Sequence, residues 1–152
     1  MSLFEAIRAN DAAALKRILQ ETPGALRERD ERGNPPLVLA TYLNHAAASK
    51  ALVEAGADLD AQGMAGTALM GVSFRGYPEL TTYLLEAGAD PDVQHENGST
   101  ALIFAAMFNK EDIVDILLRH GARTTIKDNN GLTAADHARS KGFAELAAKL
   151  AG

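Results

Sequence analysis

The chain is 152 residues long, about one domain, with a formal net charge of −5, no cysteine and only 5% aromatic residues. The acidic balance argues against a nucleic-acid reader, which carries a basic stripe, and there is neither a polybasic run for an anionic membrane nor an apolar stretch long enough to span one. Without cysteine there is no disulfide and no thiolate chemistry, which fits a reducing compartment.

The segment Met1–Arg8 lacks the basic start and long apolar run of a secretory signal, so a cytoplasmic protein is expected. A first unit, residues 1–29, reads as two short helices around Asn10. Its Glu5, Arg8, Lys16, Arg17 and Gln20 supply the polar outer face of a terminal cap. A second unit, 30–62, opens on Asp30-Glu31-Arg32-Gly33, continues through Pro36-Leu37, turns at Asn44 and closes on Leu52-Val53 followed by Gly56-Ala57-Asp58. A third, 63–94, starts irregularly: its Gly66 abuts Thr67, one residue short of the spacing elsewhere. It turns at Gly76 and closes on Leu84-Leu85 and Gly88-Ala89-Asp90.

The fourth unit, 95–127, is the most regular. Asn97-Gly98 marks a turn, Thr100–Phe108 reads as a helix, Asn109 interrupts it, and Glu111–His120 reads as a second helix. The apolar positions Ile113, Val114, Leu117 and Leu118 share one face of that second helix. Gly121-Ala122-Arg123 ends the unit. The fifth, 128–152, turns at Asn130-Gly131 and again at Gly142. It carries Asp136, Arg139, Lys141, Glu145 and Lys149 for an outer face, so the chain is expected to be a complete five-unit protein.

The residues between the paired helices, Asn10, Asn44, Gly76, Asn109 and Gly142, are 34, 32, 33 and 33 positions apart. They are of the two types that best tolerate positive φ. Self-similarity at this period means a solenoid of stacked supersecondary units. Ala6, Ala40, Ala105 and Ala138 occupy one helix-packing position, where Val72 is the exception. With its short finger, this makes the unit starting near Gly63 the expected weak point of the stack.

These residues resemble the ankyrin repeat, whose pattern is Asp-x-x-Gly-x-Thr-Pro-Leu-His-x-Ala followed by Leu-Leu-x-x-Gly-Ala. The matches are Asp30–Gly33 with Pro36-Leu37, Thr67-Ala68-Leu69, Asn97–Leu102 and Asp128–Ala134. The resemblance implies an all-α solenoid of helix-turn-helix units with short β-hairpin-like fingers along one edge. The family's Pro is kept only at Pro36, and its His is replaced by Val38, Met70, Ile103 and Asp136, so the hydrogen bonds that His makes must be made differently here.

Chemistry-bearing motifs are weak. Gly71-Val72-Ser73-Phe74-Arg75-Gly76 has its second Gly one residue too late for a nucleophile elbow and lies in a helix. No two of the four histidines have the spacing of a helical zinc site. The loop from Asp90 has His95 and Ala101 where a calcium loop needs Gly and Glu. No phosphate-binding glycine loop occurs, and no catalytic residue, metal or cofactor is expected. In stacks of this type the last two residues of the first helix face a concave groove. Here those positions hold Tyr42 and Leu43, Phe74 and Arg75, Met107 and Phe108. Contiguous exposed apolar surface marks an interaction site, and aromatics and Arg are enriched at binding hot spots. The expected function is therefore protein binding through this column, with Glu31, Arg32, Asn34, Glu96, Asn97 and Ser99 of the fingers as a polar rim. A monomer is expected. The alternatives are self-association through the column, and a small-ligand or enzymatic site using Ser73, His45 or His95.

Overall fold

A computed structural model describes residues 1–152. Ten α-helices alternate between two layers. The inner layer is α1 (Leu3–Arg8), α3 (Pro36–Tyr42), α5 (Ala68–Arg75), α7 (Ala101–Met107) and α9 (Ala134–Ser140). The outer layer is α2 (Ala12–Glu21), α4 (Ala46–Glu54), α6 (Pro78–Ala87), α8 (Glu111–Arg119) and α10 (Ala144–Ala151). A 3-10 turn at Pro23–Arg27 lengthens the first connection. The chain is all-helical, as expected, and the inner helices pack α1 on α3, α3 on α5, α5 on α7 and α7 on α9. In the outer layer α2 packs on α4 and α6 on α8, while α4 and α6, and likewise α8 and α10, meet less closely.

The inner helices start where sequence places them because Thr67, Thr100 and Thr133 each accept a hydrogen bond from the N–H three residues on, satisfying one orphan donor of the first turn. Pro35 and Pro36 do this for α3 by a different route, since a proline at the first helical position has no N–H to satisfy. All five expected turn residues lie at positive φ: Asn10, Asn44 and Asn109 at 53–59°, Gly76 and Gly142 at 77° and 82°. The seam between neighbouring inner helices is sealed by Ala6, Ala40, Ala105 and Ala138 with no exposed surface. Val72 is equally buried there, so the stack accommodates its extra bulk.

The fingers close as hydrogen-bonded turns and contain no strands; a single isolated bridge joins Gly63 to Gly66. In the second and fifth units an aspartate knits the turn: Asp30 Oδ1 accepts from Arg32 and Asn34 N–H, Asp128 Oδ1 from Asn130 and Leu132 N–H. Adjacent fingers are tied by a ladder that sequence patterning does not announce. Arg29 donates to the Gln62 carbonyl at 2.8 Å, Gln62 to the Gln94 carbonyl at 3.2 Å and Gln94 to the Lys127 carbonyl at 3.2 Å. Each of these residues occupies the same position of successive units. Asp60 and Asp92 add a second row, accepting from the Asp90 and Arg123 N–H groups.

The missing family histidine is replaced locally. Met70 Sδ accepts from Thr67 N–H at 3.4 Å and Asp136 Oδ2 from Thr133 N–H at 2.9 Å, closing capping boxes at the starts of α5 and α9. His137 Nε2 lies 2.7 Å from Asp128 Oδ2, pinning the last finger to α9.

Two predictions follow from the fingers. Gly98 and Gly131 occupy the same turn position at φ 83° and 77°, but a Cβ on Gly98 would sit 2.7 Å from Asn129 N whereas one on Gly131 would meet nothing. Both alanine substitutions carry the backbone penalty, of order 1 kcal/mol, and Gly98→Ala adds a clash with the neighbouring finger's backbone. In thermal melts Gly98→Ala is expected to lower Tm several degrees further than Gly131→Ala; equal shifts would contradict the inter-finger packing. The second concerns pH. Burial opposes ionisation of Asp128, but the hydrogen bonds from His137, Leu132 and Asn130 outweigh it and hold the carboxyl below its ordinary value of 3.8. Its stabilisation is therefore full above 3.8 and is lost as pH falls through the depressed value. Urea midpoints measured across this window should drop more for the wild type than for Asp128→Asn.

Candidate functional site

The concave groove runs between the inner helices and the fingers. Because each turn residue, Asn44, Gly76 and Asn109, fixes the register, the two residues before it line up along the groove: Tyr42 and Leu43 at the end and C-cap of α3, Phe74 and Arg75 at the end of α5, Met107 and Phe108 at the end and C-cap of α7. Tyr42 and Leu43 are each 38% exposed, Phe74 40% and Phe108 46%. Met107 is half-buried and Arg75 is exposed. The column therefore exists as accessible surface, with side chains of adjacent units in contact along it. The Phe74 and Phe108 rings meet edge to face at 4.8 Å. The Arg75 guanidinium lies 4.8 Å from the Tyr42 ring centroid and also donates to the Tyr77 hydroxyl at 3.1 Å. Each contact is diagonal, joining the last position of one unit to the penultimate position of the unit before it.

Edge-to-face aromatic pairs are worth about 0.5–1.5 kcal/mol beyond their area burial, and the Arg75–Tyr42 stack adds the attraction of a cation for a ring face. They hold the side chains in place without covering them, so a partner docking here has less side-chain entropy to remove. The hydrogen bond from Arg75 to Tyr77, followed by that to Tyr42, favours the charged guanidinium and raises its pKa above the ordinary value.

The finger residues behave differently from one another. Glu31, Arg32, Glu96 and Asn97 are exposed on the rim and Asn34 is half-buried beside it. Glu31 pairs with Arg8 at 2.9 Å, tying the second finger to α1. Ser99 does not belong to the rim. It is 2% exposed, because its N–H donates to Asn97 Oδ1 and its carbonyl accepts from His95 N–H, which turns the residue inward.

The residues considered for a catalytic or small-ligand site are not assembled into one. Ser73 is fully buried inside α5 and its Oγ has no hydrogen-bond partner. His45 Nδ1 donates to the Ile7 carbonyl at 2.9 Å, and His95 faces Gln62 Oε1 at 3.4 Å. No group of three or more His, Asp or Glu side chains is arranged to hold a metal ion.

Two groove features lie outside the site residues expected from the sequence. Met64, at the tip of the third finger, is 77% exposed and borders a recess of about 730 Å³ with Tyr42, Leu43 and Arg32. Beside it is an apolar notch of about 350 Å³, lined by Tyr42, Met70, Gly71, Phe74 and Phe104 with His95 and Asn97 at its edge. The notch exists because Gly71 stands where the adjacent units place Leu39 and Phe104, a substitution visible once the repeats are superposed in register.

Comparison with known proteins agrees with the geometry. The family model described as ankyrin repeats (3 copies) matches residues 3–92 and 69–152. An ankyrin repeat-containing protein of Treponema pallidum is 34% identical over 113 residues, 73% of this chain and 38% of its own length. The mouse ankyrin repeat and SAM domain-containing protein 6 is 33% identical over 112 residues, 72% of this chain and 13% of its own length. A shorter match, 45% identical over 56 residues, is to the human 2-5A-dependent ribonuclease, covering 36% of this chain and 8% of that protein. The chain thus spans well under half the length of these relatives, and what it shares with them is the repeat array. With five stacked helix pairs, finger turns and a matching family model along its whole length, the chain belongs to the ankyrin repeat family.

Proposed function

We propose that this chain is a non-enzymatic protein-binding module that captures a protein partner in its concave groove. Ankyrin repeats are generally protein–protein interaction modules, and no helix here is long and apolar enough to cross a membrane. The observation that carries the groove reading is the exposed apolar column of Tyr42, Leu43, Phe74 and Phe108 on a face where a solvated solenoid would otherwise carry polar residues. Glu31, Arg32, Asn34, Glu96 and Asn97 would then form the rim that excludes water around it. A cytoplasmic, monomeric protein is part of the same proposal, consistent with a sequence free of cysteine.

Affinity capture from cells that express the protein provides the test. Replacing both Phe74 and Phe108 by Ala removes two rings that together give the column its T-shaped centre. Their partial exposure means that the helical circular dichroism should be retained. Partner retention is expected to fall about tenfold or more. Undiminished capture by the folded double variant would rule out the groove. Self-association through the column is separated by light scattering over a range of concentrations: a mass that rises with concentration and reverts to monomer in the double variant would favour that reading instead.

A further inference from the structure

The groove has a chemical character more specific than apolar. Arg75 is the one charged residue on α3, α5 and α7, and it stands in the middle of the column, stacked on Tyr42. None of the five ion pairs of the protein uses it, nor do they use Arg32 on the neighbouring finger or Lys110, whose side chain lies over the Gly76 turn next to Arg75. Two of the outer helices behind it have the opposite sign: α6 carries Glu79 and Glu86 with no basic residue, and α8 carries Glu111, Asp112 and Asp115 against Arg119. On a chain of net charge −5 the three interior inner helices therefore carry one cation and no carboxylate, the acids nearest the groove being on the finger rim. Over distances beyond a Debye length, about 8 Å in physiological salt, the acidic outer face is screened, so a group in the middle of the groove responds mainly to Arg75 and Lys110, while Arg32 on the finger rim is set against the Glu31 and Glu96 carboxylates.

The notch supplies the second element. Its floor is Gly71, and its walls are Tyr42, Met70, Phe74 and Phe104. A Cβ on Gly71 would reach only ordinary contact, 3.8 Å, with the Tyr42 ring, so the space is open rather than filled by a neighbour. The Asn97 amide at the edge uses its oxygen on Ser99 N–H and leaves its NH₂ without a partner in the protein, a free donor for a peptide carbonyl. Tyr42 is common to the notch and to the Arg75 stack. The two subsites are thus neighbours, within the reach of about two extended residues at roughly 3.5 Å each.

Building on the groove reading above, we infer that the partner offers an acidic linear segment. One aliphatic or aromatic side chain seats in the Gly71 notch, and an Asp or Glu within about two residues of it pairs with Arg75. The guanidinium presents its remaining N–H donors to a carboxylate in the planar geometry that favours bidentate pairing.

A phage library of random dodecapeptides selected on the full chain tests this, with the best binder then synthesised and titrated against variants. The expected peptides carry a large apolar residue with Asp or Glu close by. Arg75→Glu should weaken the synthetic peptide about tenfold or more, and a peptide whose acid is replaced by Lys should recover binding to that variant. Gly71→Leu, which copies Leu39 of the preceding unit, should abolish binding while leaving the fold at least as stable, since Gly in a helix interior is unfavourable by about 1 kcal/mol. Those outcomes together support the inference. Peptides without acidic preference, or binding indifferent to both Arg75→Glu and Gly71→Leu but lost in the Phe74/Phe108 double alanine variant, would overturn it while leaving the groove reading intact. Selection that enriches no peptide would also overturn it, because a linear segment would then not be what the groove takes. Binding unaffected by the double alanine variant would remove the groove reading along with it.

Discussion

In every unit the residue joining inner helix to outer helix sits at positive φ. That turn folds the second helix back on the first after a fixed number of residues. It therefore fixes which two side chains terminate each inner helix over the groove. Asn and Gly meet this demand with little strain, where a branched residue would pay of order 1–2 kcal/mol at each turn. With the turn fixed, the buried seam of Ala6, Ala40, Val72, Ala105 and Ala138 brings successive inner helices into contact, and the finger ladder of Arg29, Gln62 and Gln94 holds the opposite edge in register. The alignment of Tyr42, Phe74 and Met107 is a consequence of these constraints rather than a separate feature.

The alignment also explains why the column can be both ordered and exposed. Its contacts run diagonally between units, Tyr42 to Arg75 and Phe74 to Phe108, so each ring is braced by a neighbour while its outer face stays open. A core would enclose these rings; a mobile surface would leave them unbraced. The third unit contributes disproportionately. Its Gly71 opens the notch, its Met64 extends the apolar surface onto the finger tips, and its Arg75 brings the only charge on the three interior inner helices. The same unit has the shortened finger, with Gly66 next to Thr67 and the one isolated bridge of the fold. The most distinctive part of the candidate site thus lies in the least regular part of the stack.

The helix pairs and their turns were legible in the sequence because the spacing of Asn10, Asn44, Gly76, Asn109 and Gly142 reports directly on a backbone requirement. The column was legible for the same reason: once the turn residue is known, the two positions before it are known. The finger ladder was not, because its donors change type along the row, from Arg29 to Gln62 and Gln94, and every acceptor is a backbone carbonyl, which carries no sequence signature. Ser99 was misplaced on the rim because a Ser beside a turn reads as solvated, whereas the Asn97 side chain captures its N–H and turns it inward. The notch was missed because it is made by an absent side chain, and a glycine inside a helix carries no pattern of its own; only comparison with Leu39 and Phe104 reveals it. The hairpin-like fingers that the resemblance implies are present as turns without strands, because Asp30, Asn97 and Asp128 knit them and meet the backbone's hydrogen-bonding needs.

Amide and methyl NMR chemical-shift mapping of the chain, titrated with the partner recovered by affinity capture, tests the central claim most directly. The account predicts perturbations concentrated on Tyr42, Leu43, Met64, Gly71, Phe74, Arg75, Met107 and Phe108, with the outer faces of α4, α6 and α8 unchanged. Perturbations confined to those outer faces, with the inner-helix ends silent at saturation, would contradict it.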